Sequence, residues 1–355
     1  MRNTVIIALL ILISGEGISQ SSKRDSVFQI HGGIDYYFGS QLNDLDKDVV
    51  PIYVSNNQLN RASINLAMIE MTYQPFTNFR VQFTPGFGSY MNANYSLENK
   101  NLRWIYESYV GFKPSKKRNE WVDIGVFSSP YTYETAKSWD QSLYTRSIAP
   151  EYVPYYLLGV RYKRKINERF SLTTFLLNGW QRIEIQRKIP SLGTQLEYSK
   201  GKNYVSWTTY QGNEKTETQP DLGYRAFTEI SWIYTFQKLK LFSCLYGGMQ
   251  YRSSKPFFWG QANVAIEYKL LKKLFFNARI EHFLDPSNVQ ITQVDKPGFN
   301  CSGLSLGTQW WLTDHLSVRM ETKMLRDNSF SGYFSKGTEN KRLLPLGFVG
   351  VNLRF

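Results

Sequence analysis

The side chains best suited to covalent chemistry are few and poorly arranged for it. Three histidines occur, His31, His282 and His315. His315 and Ser317 stand two residues apart, so a strand would carry both on one face, as a base and a nucleophile acting on a lipid ester require. His315 falls in a short polar turn, however, and Ser317 on a hydrophilic strand face, so the chain is not expected to be an enzyme. His282 lies on an apolar face near a strand end, where an interfacial residue is expected. Asp44, Asp46 and Asp48 alternate as cation ligands can. An EF-hand loop would need glycine and glutamate where Val49 and Ser55 stand, so a plain acidic loop is expected. Cys244 and Cys301 lack metal-ligand spacing and are expected to be unpaired. There is no phosphate-cradling glycine loop and no zinc spacing, so no metal or cofactor is expected.

The abundant chemistry is electrostatic. Lys and Arg number 42 against 29 Asp and Glu, a formal charge of +13. Such a balance suits nucleic acid, anionic lipid or an anion pathway, and placement decides among them. The basic residues are spread along the chain, which speaks against nucleic acid. Where polar and apolar residues alternate cleanly, the polar face carries Arg80, Arg103, Lys113, Arg161, Lys163, Arg225, Lys269, Arg279, Arg319, Lys323 and Arg354. The same face carries Glu107, Glu229, Glu267, Glu281 and Glu321. If these residues line a water-filled passage, its field favours anions. Interstrand ion pairing without selectivity is the alternative. A second constellation lies between 129 and 153: Tyr131, Tyr133, Glu134, Lys137, Trp139, Asp140, Arg146 and Glu151. These residues suit an aromatic and polar constriction if the segment folds into the passage; a surface loop packed on the rim is the alternative.

The elements that must position these side chains are long strands. Leu274, Phe276, Ala278 and Ile280 oppose Asn277, Arg279 and Glu281; Leu316, Val318, Met320 and Met324 oppose Ser317, Arg319, Glu321 and Lys323. Period-two alternation of this kind puts one side chain set on each face of a sheet. Many stretches reach the ~9–11 residues a tilted strand needs to cross a bilayer. No apolar run beyond the N-terminus is long enough for a spanning helix. Tight polar connections, such as Thr77-Asn78, Gln237-Lys238 and Thr313-Asp314, alternate with longer ones at 40–60, 129–153, 212–222, 285–298 and 327–341. The pattern predicts an all-β transmembrane antiparallel barrel of about 16 strands (14–18 fit), with short periplasmic turns and long extracellular loops. The segment 129–153 is then the third connection on the long-loop side, after the fifth strand. Tyr73, Trp104, Trp121, Tyr162, Trp180, Trp232, Tyr234, Trp259, Tyr268 and Trp310 are expected in interfacial girdles. Tyr109 and Trp311 fall on the inner face.

At the N-terminus, Arg2, an apolar core over 5–13 and the small residues Gly17 and Ser19 read as an export signal cleaved after Ser19. The barrel then occupies 20–355. Val349, Val351, Leu353 and Phe355 form one face of the last strand, and a terminal aromatic there resembles the signal that barrel-assembly machinery recognises.

Four segments resemble the β-barrel porin family of Gram-negative bacteria related to OmpL-type porins. They are residues 101–114 (NLRWIYESYVGFKP), 124–134 (IGVFSSPYTYE), 144–162 (YTRSIAPEYVPYYLLGVRY) and 176–183 (LLNGWQRI). In that family a Gly-x-Phe strand end leads to a Pro-aromatic-Glu loop, then an Arg-Ser step and a Gly-Val-x-Tyr strand. Here these are residues 125–127, 130–134, Arg146-Ser147 and 159–162. Ser128-Ser129 departs from the acidic or threonine-bearing step of the pattern. The likeness is clear over the first half of the mature chain and generic after it; it implies a porin-like fold and names no solute.

These features predict an integral outer-membrane channel for passive diffusion of small hydrophilic solutes, leaning toward anions. Its expected partners are outer-membrane lipid and lipopolysaccharide, the assembly machinery acting through Phe355, and, for an oligomer, further copies of the chain. A loop-filled structural or adhesive barrel and, below it, a lipid-modifying barrel are the rival readings.

Overall fold

The computed structural model describes residues 27–43, 48–184, 189–291, 298–334 and 341–355. The export-signal reading and Asp44 and Asp46 lie outside them. Sixteen antiparallel strands follow one another around a closed barrel. They are β1 (Phe28–Gln41), β2 (Ala62–Phe76), β3 (Phe79–Phe87), β4 (Ile105–Phe112), β5 (Glu120–Ser128), β6 (Tyr156–Lys165), β7 (Phe170–Leu177), β8 (Ser191–Lys200), β9 (Asn203–Asn213), β10 (Leu222–Phe236), β11 (Leu239–Arg252), β12 (Lys255–Lys269), β13 (Leu274–Asp285), β14 (Phe299–Trp311), β15 (Leu316–Asp327) and β16 (Leu343–Arg354). Each pairs with its sequence neighbours, and β1 pairs with β16, Tyr36 opposite Val351.

The alternation read in the sequence is the alternation of the wall. On β13, Ile280 and Leu284 point outward while Arg279, Glu281 and Asp285 are buried inside. On β15, Met320 and Met324 face out and Arg319, Glu321 and Lys323 face in. Closure removes sheet edges and leaves the strand backbone paired, as a hydrocarbon surrounding demands. The seam is finished at Gly32, whose N–H and C=O both pair with Phe355 at 3.0 Å. A Cβ on Gly32 would sit 2.6 Å from the Phe355 ring and from the Met68 carbonyl, so only glycine fits there.

One rim carries short connections, including 77–78, 201–202 and 237–238; the other carries the long ones. Two features of the long rim differ from the sequence reading. The β11–β12 connection is a two-residue turn, Ser253-Ser254, with both residues at positive φ. The β3–β4 connection holds a short helix, α1 (Ser89–Asn94), and a 3-10 turn (Lys100–Leu102). Arg103 follows that turn ahead of β4, so it is not on an inner strand face; its guanidinium binds the carbonyls of Ser96 and Glu98. The β3–β4 register shifts between Thr84 and Pro85, so period two does not carry from β4 back to Arg103.

Among the girdle candidates, Tyr73, Trp104, Trp232, Tyr268 and Trp310 are exposed on the outer wall. Trp121, Trp180 and Trp259 are corrected. Trp121 lies inside beneath Arg80 and Lys113, Trp180 packs on Tyr131 and Arg225, and Trp259 is buried against Phe227 and Phe283. An aromatic ring suits an interface and a filled interior equally well, so residue type alone does not choose between them.

Candidate functional site

The long connection between β5 and β6, residues 129–155 (L3), enters the barrel and lies against the opposite wall. Its base is held at Ser128, whose backbone N–H donates to Glu107 at 2.8 Å, and by Ser129 N–H to the Tyr155 carbonyl at 3.0 Å. From there it crosses to β12–β16 and β1. Most of the strongest anchors are charged wall side chains on loop backbone. Arg279 donates to Glu134 at 2.7 Å and to the carbonyls of Thr145 and Arg146, each at 2.9 Å. Lys323 donates to the Arg146 carbonyl at 2.8 Å and pairs with Glu281 at 2.9 Å. Glu321 accepts from Thr145 N–H, Glu281 from Ile148 N–H and Gln261 from Ala149 N–H, all at 2.7 Å. Arg319 takes the carbonyls of Ser138, Gln141 and Ser142. Glu134 ties the loop to itself through Ser147, which also accepts from Gln261 and Asn263.

Glycines of β1 and β16 make room for two of the loop's rings. A Cβ on Gly33 of β1 would lie 2.7 Å from Trp139, and one on Gly350 of β16 would lie 2.4 Å from Tyr144. The Tyr144 hydroxyl donates to Asp35 on β1, which also accepts from Asn65 and Asn352. The first long loop locks onto L3 in turn. Glu151 accepts from Val54 and Ser55 N–H at 2.7 and 2.9 Å and from Arg146 at 3.0 Å. The Arg146 guanidinium lies 3.9 Å over Tyr155. Burial opposes its charge, but Glu151 and the flanking Tyr155 and Tyr90 outweigh that and hold its pKa above the ordinary arginine value.

The clamp brings together Arg146, Arg279, Arg319 and Lys323 with Asp35, Glu134, Glu151, Glu281 and Glu321, four cations against five carboxylates, all buried. Arg279, Glu281, Arg319, Glu321 and Lys323, and Glu229 beside Cys244 and Thr208, thus occupy the inner face but do not line open space. Alternation reports which face a residue takes, not whether a loop covers it. In L3, Tyr131, Glu134, Trp139 and Arg146 are buried, Tyr133 stacks on Phe242, and Asp140 is exposed at 4.0 Å from Arg354. Gly33, Gly350, Asp35, Asn352, Gln261 and Asn263 carry no signal in the sequence that marks them as loop anchors.

The wall away from the clamp is different. Arg80 of β3 and Arg161 of β6 both bind Asp123 of β5, at 2.8 Å each, with side chains 23% and 17% exposed while Asp123 is fully buried. Both guanidinium groups lie on the ring of Tyr109. Lys163, half exposed, pairs with Glu197 at 3.3 Å. Lys113 and Arg225 also keep partial exposure on this side, as does Glu107. A cavity of ≈390 Å³ opens at the long-loop rim, lined by residues including Glu151, Trp180, Gln181, Arg225 and Arg252. A smaller one of ≈110 Å³ lies on the short-turn side of L3, between Tyr133, Asp140, Ser142, Lys240 and Phe242.

His315 and Ser317 do not assemble. His315 sits exposed in a turn with Nδ1 on the Arg354 carbonyl, and Ser317 is fully buried on the inner face. Cys244 and Cys301 are both free and buried. Of the acidic loop, Asp48 is described, and its carbonyl accepts from Leu59 N–H.

The family model for beta-barrel porin-2, OmpL-like, matches residues 27–355. The chain belongs to that family. The match runs to the last residue, so it extends well past the half of the chain where the sequence motifs were clear. Solved structures similar to this chain include the outer membrane channel DcaP of Acinetobacter baumannii (10% identity, TM-score 0.65, 92% of this chain and 97% of that one). An anion-selective porin from Comamonas acidovorans aligns at 10% identity and TM-score 0.61, over 92% and 99% of the two chains. Salmonella typhi OmpF, in complex with daunomycin, aligns at 12% identity and TM-score 0.66, over 92% and 97%. At these identities the likeness is one of fold. No curated protein matches the sequence. Family and fold together make this an outer-membrane porin barrel.

Proposed function

We propose that the chain is a passive diffusion channel for small hydrophilic solutes and that it favours anions. The observation that carries the reading is the unequal fate of the inward charges. Carboxylates on the inner face are mostly buried, among them Asp35, Asp123, Glu229, Glu281, Glu321 and Asp327. On the unclamped wall, Arg80, Lys113, Arg161, Lys163 and Arg225 keep solvent exposure, against Glu107 and Glu197 among the carboxylates. Water in the passage therefore meets a positive wall in a low-dielectric surround, which concentrates anions. L3, held against the far side by its buried Tyr131, Glu134, Trp139 and Arg146, narrows the passage and presents Tyr133 and Asp140 to it, with a cavity on each side of the loop. An aqueous passage is also what ~16 strands leave inside a barrel. The loop-filled reading has its own support: an apolar cluster joins Val50, Ile52 and Leu59 of the first loop, Tyr144 and Ile148 of L3, and Tyr333 and Phe334 of the last loop across the interior.

Liposome swelling separates the two. Vesicles carrying the refolded chain should swell in isosmotic arabinose or sodium chloride at rates well above empty vesicles. Swelling equal to empty vesicles in every solute would replace the channel with the filled barrel.

A further inference from the structure

Near the long-loop rim the outer wall carries a polar row that the channel does not use. His282 of β13, Ser302 of β14 and Arg326 of β15 are register partners on adjacent strands. All three follow the outward parity, and His282 and Arg326 are exposed. Counted from Leu274 at the short-turn end, His282 is eight residues up its strand, ~27 Å along the strand at ~3.4 Å per residue. Tilted by ~40°, that is ~21 Å of height, near the top of an apolar band ~25 Å tall. The neighbours are apolar and exposed: Ile280 and Leu284 around His282, Leu304 beside Ser302, Met324 and Leu343 beside Arg326.

Among the described residues no carboxylate pairs with Arg326. A guanidinium on a lipid-facing wall is unfavourable unless an anion meets it. His282 beside it can donate outward through its second ring nitrogen. Ser302 Oγ accepts from Asn328 at 2.9 Å and lies 2.9 Å from His282 Nδ1. With the serine hydrogen directed to Nδ1, the ring hydrogen is on Nε2, a free outward donor. Among the described residues no carboxylate is bonded to His282.

A second, independent feature lies below. An apolar groove of ≈530 Å³ runs in the outer wall, lined by Leu42, Leu306, Met320, Thr322, Gly347 and Val349 among others. Thr322 and Leu306 are each four residues down their strands from Arg326 and Ser302, ~14 Å along the strand. An acyl chain hanging from a headgroup at the row would lie in this groove.

We infer that His282 and Arg326 bind the phosphate of an acylated outer-leaflet lipid, with Ser302 orienting the His282 ring, and that the lipid's chain occupies the groove beneath. The inference rests on the reading of this wall as membrane-embedded and is independent of solute selectivity. The test uses the full chain refolded in dodecyl maltoside, with native mass spectrometry reading bound dilauroyl phosphatidate, dilauroyl phosphatidylcholine or inorganic phosphate. Phosphatidate should be retained at one copy per chain. Arg326→Gln should weaken it about tenfold, Ser302→Ala should weaken it in the same direction, and Thr322→Leu should weaken it by filling the groove. Equal retention of phosphatidylcholine, displacement by excess inorganic phosphate, or binding unchanged in both headgroup variants would overturn the site. Conductance of the Arg326→Gln channel should match the parent, which keeps a failed lipid site distinct from a failed channel.

Discussion

Arg279→Met tests whether L3 is held by buried charge. Methionine keeps much of the volume and removes the guanidinium. The parent side chain is fully buried and makes three short contacts, 2.7 Å to Glu134 and 2.9 Å to each of the Thr145 and Arg146 carbonyls. Hydrogen bonds to charged groups contribute ~1.5–3 kcal/mol each, and removing one partner of a buried ion pair costs ~3–5 kcal/mol. Most of that cost falls on Glu134, left buried with Ser147 alone. Because the wall strands keep their own pairing, the loss is concentrated on the docked state of L3. The loop should leave the wall for part of the time. Planar-bilayer recordings should show larger and noisier single-channel steps, and L3 should become cleavable by protease. Adding Glu134→Gln should restore part of the loss, because the stranded carboxylate is gone. Unchanged step size and protease resistance in Arg279→Met would refute the claim that these bonds hold the loop.

Three further outcomes follow from the geometry. Gly350→Ala places a Cβ 2.4 Å from the Tyr144 ring; displacing Tyr144 from Asp35 should destabilise by ~1–3 kcal/mol, read as a lower unfolding midpoint in urea, and a midpoint equal to the parent would count against the slot. Arg161→Gln removes one of two guanidinium groups on Asp123 and should lower the chloride-over-potassium permeability ratio; an unchanged or higher ratio would remove Arg161 from the solute path. Cys244 and Cys301 are free and fully buried, so maleimide should label neither in the folded barrel and both after unfolding, and labelling of the native protein would contradict the packing.

The wall was legible because its signal is local. Side chains two apart share a face, so the strands, their number and the place of L3 after the fifth strand could be read from spacing alone. What filled the wall could not. Arg279 and Glu134 are 145 residues apart, and nothing near either one reports that L3 will lie between them. The charges of β13 and β15 therefore read as pore lining although a loop covers them. Trp121, Trp180 and Trp259 were misplaced for a related reason: near strand ends the pattern is short, and a ring is at home on either face. Ser253-Ser254 was missed as a tight turn on the long rim because neither residue is a glycine, although both adopt positive φ.

The most direct test of the channel reading is the zero-current potential of the refolded chain across a planar bilayer separating concentrated from dilute potassium chloride. The account predicts conducting barrels whose potential has the sign of chloride moving ahead of potassium, and a smaller potential as salt rises and screens the wall. A potential of the opposite sign would contradict the positive passage, and barrels that insert without conducting would contradict the passage itself.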